Sequence, residues 1–271
     1  MNPTTSLRSL LLIAIAGLAA CSTITPAPSA PPVPEPDVAA NGNPFAKTRQ
    51  LVIVSTPGWD SSRGELTRYE RVGNRWQRFG ETTVVSLGRN GVAWGLGLHP
   101  MPQPGPQKHE GDGRSPAGIF RLPGAFGYGP TGHSLMPYEA MDATDWCIDV
   151  PDSPFYNRII DARDEGDAAV AGSTEPMRLD LHNAGDVRYA LGLRVAHNPQ
   201  AIPGQGSCIF MHLWREPNEA TAGCTAMDEA TMQTLLGWLD PRLAPMLVLL
   251  PESEYHRLAT TWQLPTLYVL Q

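Results

Sequence analysis

The chain has 271 residues and a formal net charge of −7, from 20 Lys and Arg against 27 Asp and Glu. That balance argues against a nucleic-acid partner, which needs clustered Lys and Arg to meet phosphates. It says little else about what the protein acts on.

Arg8 precedes an apolar run over residues 10–18, too short to span a bilayer comfortably and expected instead to be a signal-peptide core, which marks the chain for export. Leu18-Ala19-Ala20-Cys21 resembles a bacterial lipobox, where cleavage leaves Cys21 as the lipidated first residue; a plain small-residue cleavage site is the alternative. Ser22 in place of Asp after that cysteine resembles the pattern sorted to the outer membrane. Several acyl chains make an effectively permanent membrane anchor, since stable attachment takes about two. From residue 22 to 46 the chain is rich in Pro, including Pro31-Pro32, Pro34 and Pro36, and reads as a tether. At about 3.1 Å per residue its reach is on the order of 75 Å. The expected division is a signal peptide over 1–20, a lipidated cysteine and tether over 21–46, and one domain over 47–271 with no obvious internal repeat.

Residues 50–55 read as a first strand, followed by a turn at Pro57-Gly58. Residues 65–72 and 75–79 flank Gly73-Asn74, a hairpin signal, and residues 82–87 form a further strand. This meander predicts antiparallel pairing. Residues 88–132 are dense in Gly and Pro and read as surface loop around the sheet. Residues 191–196 and 207–212 read as central strands, with turn signals at Asn198-Pro199 and Pro203-Gly204 between them. Met232, Leu235, Leu236 and Leu239 recur at helical spacing, with Asp228 or Thr225 as the cap and Asp240-Pro241 as the stop. That helix would begin just after Cys224. A closing strand follows over 246–250, and the fold class is mostly β with some α.

The chemistry concentrates in Thr221-Ala222-Gly223-Cys224, twelve positions after His212. A cysteine attacks carbonyls as thiolate and needs an imidazole or other positive neighbour to form it. If residues 207–213 are a strand, Cys208 and His212 share a face roughly 13 Å apart at about 3.3 Å per residue, so they cannot pair within it. Cys224 follows a polar loop over 215–220, long enough to fold it back beside His212. Gly223 allows close approach of the backbone, N–H groups around Cys224 and Thr225 can face a developing oxyanion, and Thr221 adds a hydroxyl donor. The alternative is a buried structural cysteine and an unrelated histidine.

This arrangement resembles the YkuD-type L,D-transpeptidases, whose motif is a His on one strand and Ser/Thr-x-Gly-Cys opening the next segment. Residues 110–120, beginning Glu110-Gly111-Asp112-Gly113-Arg114, and residues 149–157, beginning Asp149-Val150-Pro151, are similar to segments of one periplasmic branch of that family. The resemblance covers roughly residues 48–251 and implies an L,D-transpeptidase-like β-sandwich. It implies that Cys224 attacks a peptidoglycan stem peptide, releases the terminal D-amino acid and passes the acyl group to an amine, with His212 as base oriented by a backbone carbonyl and no cofactor or metal required. Many members carry His before the motif Gly and Arg shortly after the Cys, where this chain has Ala222 and Thr225-Ala226-Met227. Arg114 is the expected substitute for substrate carboxylate contact, and His197 a lesser candidate for meeting His212 or the substrate.

With Cys21 lipidated and Cys224 catalytic, Cys147 and Cys208 remain as an even pair in an oxidising compartment. A disulfide between them is expected, with two buried free thiols as the alternative. Resolution of the acyl-enzyme by water would instead make a carboxypeptidase or a peptidoglycan–protein amidase, and an unreactive Cys224 would leave a wall-binding lipoprotein. A papain-like pairing of Cys224 with His256 has little support from the flanking sequence. The His-Glu-x-x-His and Cys-x-x-Cys spacings of zinc sites are absent from the sequence.

Overall fold

The computed structural model describes Met1 and residues 43–267. Cys21 and most of the tether lie outside the described residues. The predicted meander forms as β1 (Gln50–Thr56), β2 (Arg63–Val72) and β3 (Arg75–Ser86), paired antiparallel in sequence order. The two strands expected between residues 75 and 87 are one long strand. Its irregularity is absorbed at Gly80, whose φ is +76°, and in a register shift between Leu66 and Arg68 of β2.

The stretch from 88 to 132 departs from the expected surface loop. It contains β4 (Val92–Trp94), β5 (Ser115–Arg121) and β6 (Ala125–Gly127). β5 is buried along nearly its whole length and lies antiparallel to β14 (Met246–Pro251), which pairs parallel to β1. Pro116 and Gly118 hid this strand, because both types are rare in strand interiors. Gly118 is there for a packing reason: a Cβ would fall 2.0 Å from the imidazole of His99.

β7 (Tyr138–Ala140), β11 (Leu191–Arg194), β12 (Phe210–Leu213) and β13 (Thr225–Met227) complete a sheet of eleven strands, in the order β4-β5-β14-β1-β2-β3-β13-β12-β11-β6-β7. A second sheet of three joins β8 (Asp145–Cys147), β9 (Ile159–Asp161) and β10 (Glu175–Pro176), with β8 in the middle. Three single-turn helices, α1 (Ala162–Glu165), α2 (Asp167–Val170) and α3 (Leu179–His182), lie along this part of the chain.

The predicted helix is α4 (Glu229–Trp238), and Asp228 caps it by accepting the Thr231 N–H at 2.8 Å. Its apolar residues Met232, Leu235 and Leu236 are buried, and it packs on β11 and β12. Because β13 lies between Cys224 and α4, the cysteine opens a strand and not a helix. The main core gathers Leu51, Ile53, Ile119, Val248, Leu235 and Leu258 among others. Leu258 belongs to α5 (Glu252–Trp262), a helix not anticipated from the sequence, which covers β1 and β14. The architecture is mostly β with few helices, as expected.

Candidate active site

β12 and β13 run parallel, with Met211 opposite Thr225 and His212 opposite Ala226. One step back along both strands, Cys224 falls beside Phe210, whose backbone N–H donates to Cys224 Sγ at 3.3 Å. Side chains alternate along a strand, so Phe210 and His212 on one strand and Cys224 and Ala226 on the next share a face. His212, Cys224 and Ala226 line one cleft of about 210 Å³. A cysteine and a histidine that are twelve residues apart in the chain are thus neighbours across two strands.

The histidine is fixed by its own strand. His212 Nδ1 lies 2.7 Å from the Leu213 carbonyl. A carbonyl only accepts, so Nδ1 carries the hydrogen and Nε2 keeps the lone pair a base needs. This is the backbone carbonyl that sequence could not identify. The imidazole is 4 % exposed. Burial, the largest cause, pushes its pKa down to about 4, with the Leu213 bond opposing and nearby Arg188 adding to the shift. The Tyr189 ring stands edge-on to it, with centroids 5.2 Å apart.

Cys224 is the one free cysteine among the described residues. Burial pushes its thiol up to about 12, and Glu175 adds to that. The thiol also donates to the Cys208 carbonyl at 3.5 Å. In the resting protein both members of the pair are therefore neutral at ordinary pH, a thiol beside an unprotonated imidazole.

The turn before Cys224 is tied down by hydroxyls. Thr221 Oγ1 donates to the Cys224 carbonyl at 2.7 Å and accepts the Gly223 N–H at 3.1 Å. Ser115 Oγ donates to the same carbonyl at 3.0 Å and accepts the Gly88 N–H at 2.9 Å. Thr221 and Gly223 were expected to offer donors to an oxyanion, but these donors are committed to shaping the turn. Gly223 is required by close approach, since a Cβ would sit 3.0 Å from the Arg114 carbonyl. Thr225 is buried at the start of β13 and is not among the residues lining the cleft.

Cys147 and Cys208 form a disulfide. It joins β8 of the small sheet to the segment leading into β12. Cys208 itself has φ +54°, so the strand expected from residue 207 begins only at Phe210.

A family model described as the L,D-transpeptidase catalytic domain, YkuD, matches residues 59–248. The chain belongs to the YkuD family. No curated protein and no solved structure matches it. The matched span lies inside the region where the sequence resembles that family.

The family's usual Arg after the cysteine has no counterpart in Thr225-Ala226-Met227, and the structure shows what surrounds that gap. Arg114 does not fill it. Its guanidinium donates to the carbonyls of Trp59 and Val92 and pairs with Asp60 at 2.8 Å, away from the cleft lining. His197 is also outside the lining, buried and held between the Leu96 N–H and the Gln205 carbonyl. Three cations the sequence did not single out for this role line the cleft: Arg89, Lys108 and Arg188. Lys108 is buried in an ion pair with Asp112 at 2.6 Å, and Arg188 pairs with Asp186 at 2.7 Å. Arg89 is exposed, with no side-chain hydrogen bond or ion pair among the described residues. Glu110, Asp149, Glu175, Glu219 and Tyr189 are among the other polar residues of the lining. No local spacing could have gathered these groups, which come from β10 of the small sheet and from connections far apart in the chain. Among the described residues no three His, Cys, Asp or Glu side chains are placed to hold a metal.

Proposed function

We propose that the chain is a peptidoglycan L,D-transpeptidase working through a Cys224 acyl-enzyme, with His212 as its base. The observation that supports this most is the juxtaposition of a free cysteine with a histidine whose Nε2 keeps its lone pair, both facing one cleft on adjacent strands. As Cys224 sulfur attacks the stem-peptide carbonyl, its proton passes to His212 Nε2. The C–S bond forms, the C–N bond to the terminal D-amino acid breaks, and His212 returns the proton to the departing amine. An acceptor amine then displaces sulfur.

A neutral resting pair suits this sequence, because the thiolate is generated only when a carbonyl is in place to receive it. With the Thr221 and Gly223 donors engaged in the turn, the backbone N–H of Cys224 is the donor assigned to the forming oxyanion. Arg89 supplies the charge for a substrate carboxylate in place of the family's Arg, supported by its exposure at the cleft and its lack of a competing partner. Hydrolysis is the second reading, in which water takes the place of the acceptor amine at the same Cys224 acyl-enzyme.

The test is mass spectrometry of muropeptides incubated with the full-length chain and with Cys224→Ala. A Cys224-dependent gain of cross-linked or amino-acid-exchanged product supports transfer, only trimmed product moves the assignment to hydrolase, and no Cys224-dependent change overturns both. The export and anchoring reading rests on the sequence of residues 1–46, from the apolar run through Cys21 to the Pro-rich tether. Cys21→Ser is expected to shift the protein from the membrane fraction to the soluble fraction of producing cells. Equal partitioning of both forms would remove the lipid anchor.

A further inference from the structure

Four carboxylates line the cleft, and three of them are committed. Glu219 accepts from two nitrogens of the Arg215 guanidinium. Glu110 accepts from the Gly111 N–H at 3.2 Å, from Ser207 Oγ at 2.6 Å and from the Tyr156 hydroxyl. Asp149 accepts from Ser173 Oγ at 2.9 Å, from the Thr174 N–H at 3.0 Å and from Thr174 Oγ1 at 2.5 Å. Glu175 is different. The Tyr189 hydroxyl donates to its Oε1, and Oε2 has no hydrogen-bond partner among the described residues.

The position of Glu175 is set from two sides. It lies opposite Cys147 in the small sheet, and Cys147 is bonded to Cys208, whose carbonyl receives the Cys224 thiol. On the other side Tyr189 holds the carboxylate through its hydroxyl while its ring packs against His212. Disulfide, tyrosine and carboxylate together make a bracket around the nucleophile and base. The mechanism above gives this bracket no role.

Transfer poses a proton problem that acylation does not. An alkyl amine has a pKa of about 10, so it enters a neutral site as an ammonium ion without a lone pair. His212 can take only one of the two protons such an acceptor must lose. We propose that Glu175 is the proton acceptor for the incoming ammonium group, with Tyr189 as the residue that positions its carboxylate. This rests on the acyl-enzyme reading of Cys224.

The ammonium group gives one proton to Glu175 Oε2 and becomes a nucleophilic amine. Its nitrogen attacks the thioester carbonyl and passes a second proton to His212. The C–S bond breaks, the sulfur leaves as thiolate, and His212 protonates it. Glu175 returns its proton to solvent, so each turnover consumes an ammonium ion and a thioester and yields an amide, a thiol and one proton. The groups facing Glu175 tune it for this exchange. Burial pushes its pKa up to about 7, the Tyr189 bond opposes, Asp149 and Glu110 add to the rise, and Arg188 offsets part of it.

The experiment compares full-length wild type with Glu175→Gln, using a stem-peptide donor and two acceptors at neutral pH. One is a simple alkyl amine, which is charged. The other is hydroxylamine, which is already neutral and needs no proton acceptor beyond His212. Glu175→Gln is expected to lower the ratio of alkylamine transfer to hydroxylamine transfer about 100-fold. In wild type, alkylamine transfer should rise with pH up to about 7 and then level off once the carboxylate form prevails, whereas in the variant it should keep rising about tenfold per pH unit toward the amine's own pKa of about 10.

An unchanged ratio, or a wild type that discharges its acyl-enzyme only to water, overturns the proposal. Absence of any Cys224-linked acyl-enzyme in wild type sinks the underlying function instead, so the two failures are distinguishable. Because the measured quantity is a ratio within one protein sample, partial misfolding of the variant cancels. Should Glu175→Gln yield no folded protein, Glu175→Asp takes its place with the same expected direction.

Discussion

His212→Asn is expected to slow formation of the Cys224 acyl-enzyme by about 10³- to 10⁴-fold at neutral pH. The size of the loss follows from the environment of the sulfur. Burial holds the thiol up to about 12, so without a base only about one molecule in 10⁵ carries a thiolate at pH 7. Neither group in hydrogen-bond contact with Cys224 sulfur among the described residues can take the proton, since Phe210 N–H is a donor and the Cys208 carbonyl already receives the thiol. The variant's rate should then climb about tenfold per pH unit from 7 to 9, as hydroxide does what the imidazole did, while the wild-type rate stays nearly flat. Acyl-enzyme growth followed by intact-protein mass spectrometry separates the cases. A variant that acylates within threefold of wild type would show that His212 is not the base.

Loss of the Cys147–Cys208 bond is expected to have the largest effect on stability. The two cysteines are 61 positions apart, and a loop of that size constrains the unfolded chain by about 4 kcal/mol in the chain-entropy model. For a domain of this size that corresponds to a fall in Tm of about 10 °C. Replacing both cysteines by Ala, and measuring thermal unfolding with and without reductant, tests this. Wild type should lose the same increment when reduced, and the double variant should not respond. A further effect is specific to this fold. Cys208 sits at positive φ immediately before the nucleophile's strand pair, and Cys147 lies opposite Glu175, so the double variant should lose acyl transfer at temperatures where it is still folded. Retention of full activity would show that the bond acts on stability alone.

Much of the site was legible because its signals are local. His212 and the Thr221–Cys224 turn lie within thirteen residues, and a polar loop between a strand and a small-residue turn can return the chain to its neighbour. The α4 helix was readable from its apolar spacing and its Asp228 cap, and the disulfide from counting cysteines. What escaped detection depends on long-range packing. β5 is a buried strand that opens with Ser, Pro, Ala and Gly, so its pattern carries neither alternation nor β-branched residues in number. Arg114 was a reasonable substrate contact until Trp59, Val92 and Asp60 folded around it, all of them more than twenty positions away. Glu175 has no distinguishing neighbours in sequence. Its meaning comes from Tyr189, from Cys147 across the small sheet, and from commitment of the other three carboxylates, none of which a linear reading can weigh.

Parallel neighbours need a crossover, and most proteins spend a helix on it. Here β12 ends at Leu213 and β13 begins at Thr225, and the chain between them is a bare arch. That arch supplies Trp214, Glu219, Ala220, Thr221, Ala222 and Gly223 to the wall of the cleft. One wall of the cleft is thus hung between the two strands that carry His212 and Cys224, and its last turn is held to the body through Thr221 and Ser115. Descent can lengthen, shorten or rewrite it while the hydrogen bonds of β12 to β13 keep the sulfur and imidazole in register. An engineer has the same freedom: new donor or acceptor preferences can be sought by grafting arches onto an unchanged pair of strands.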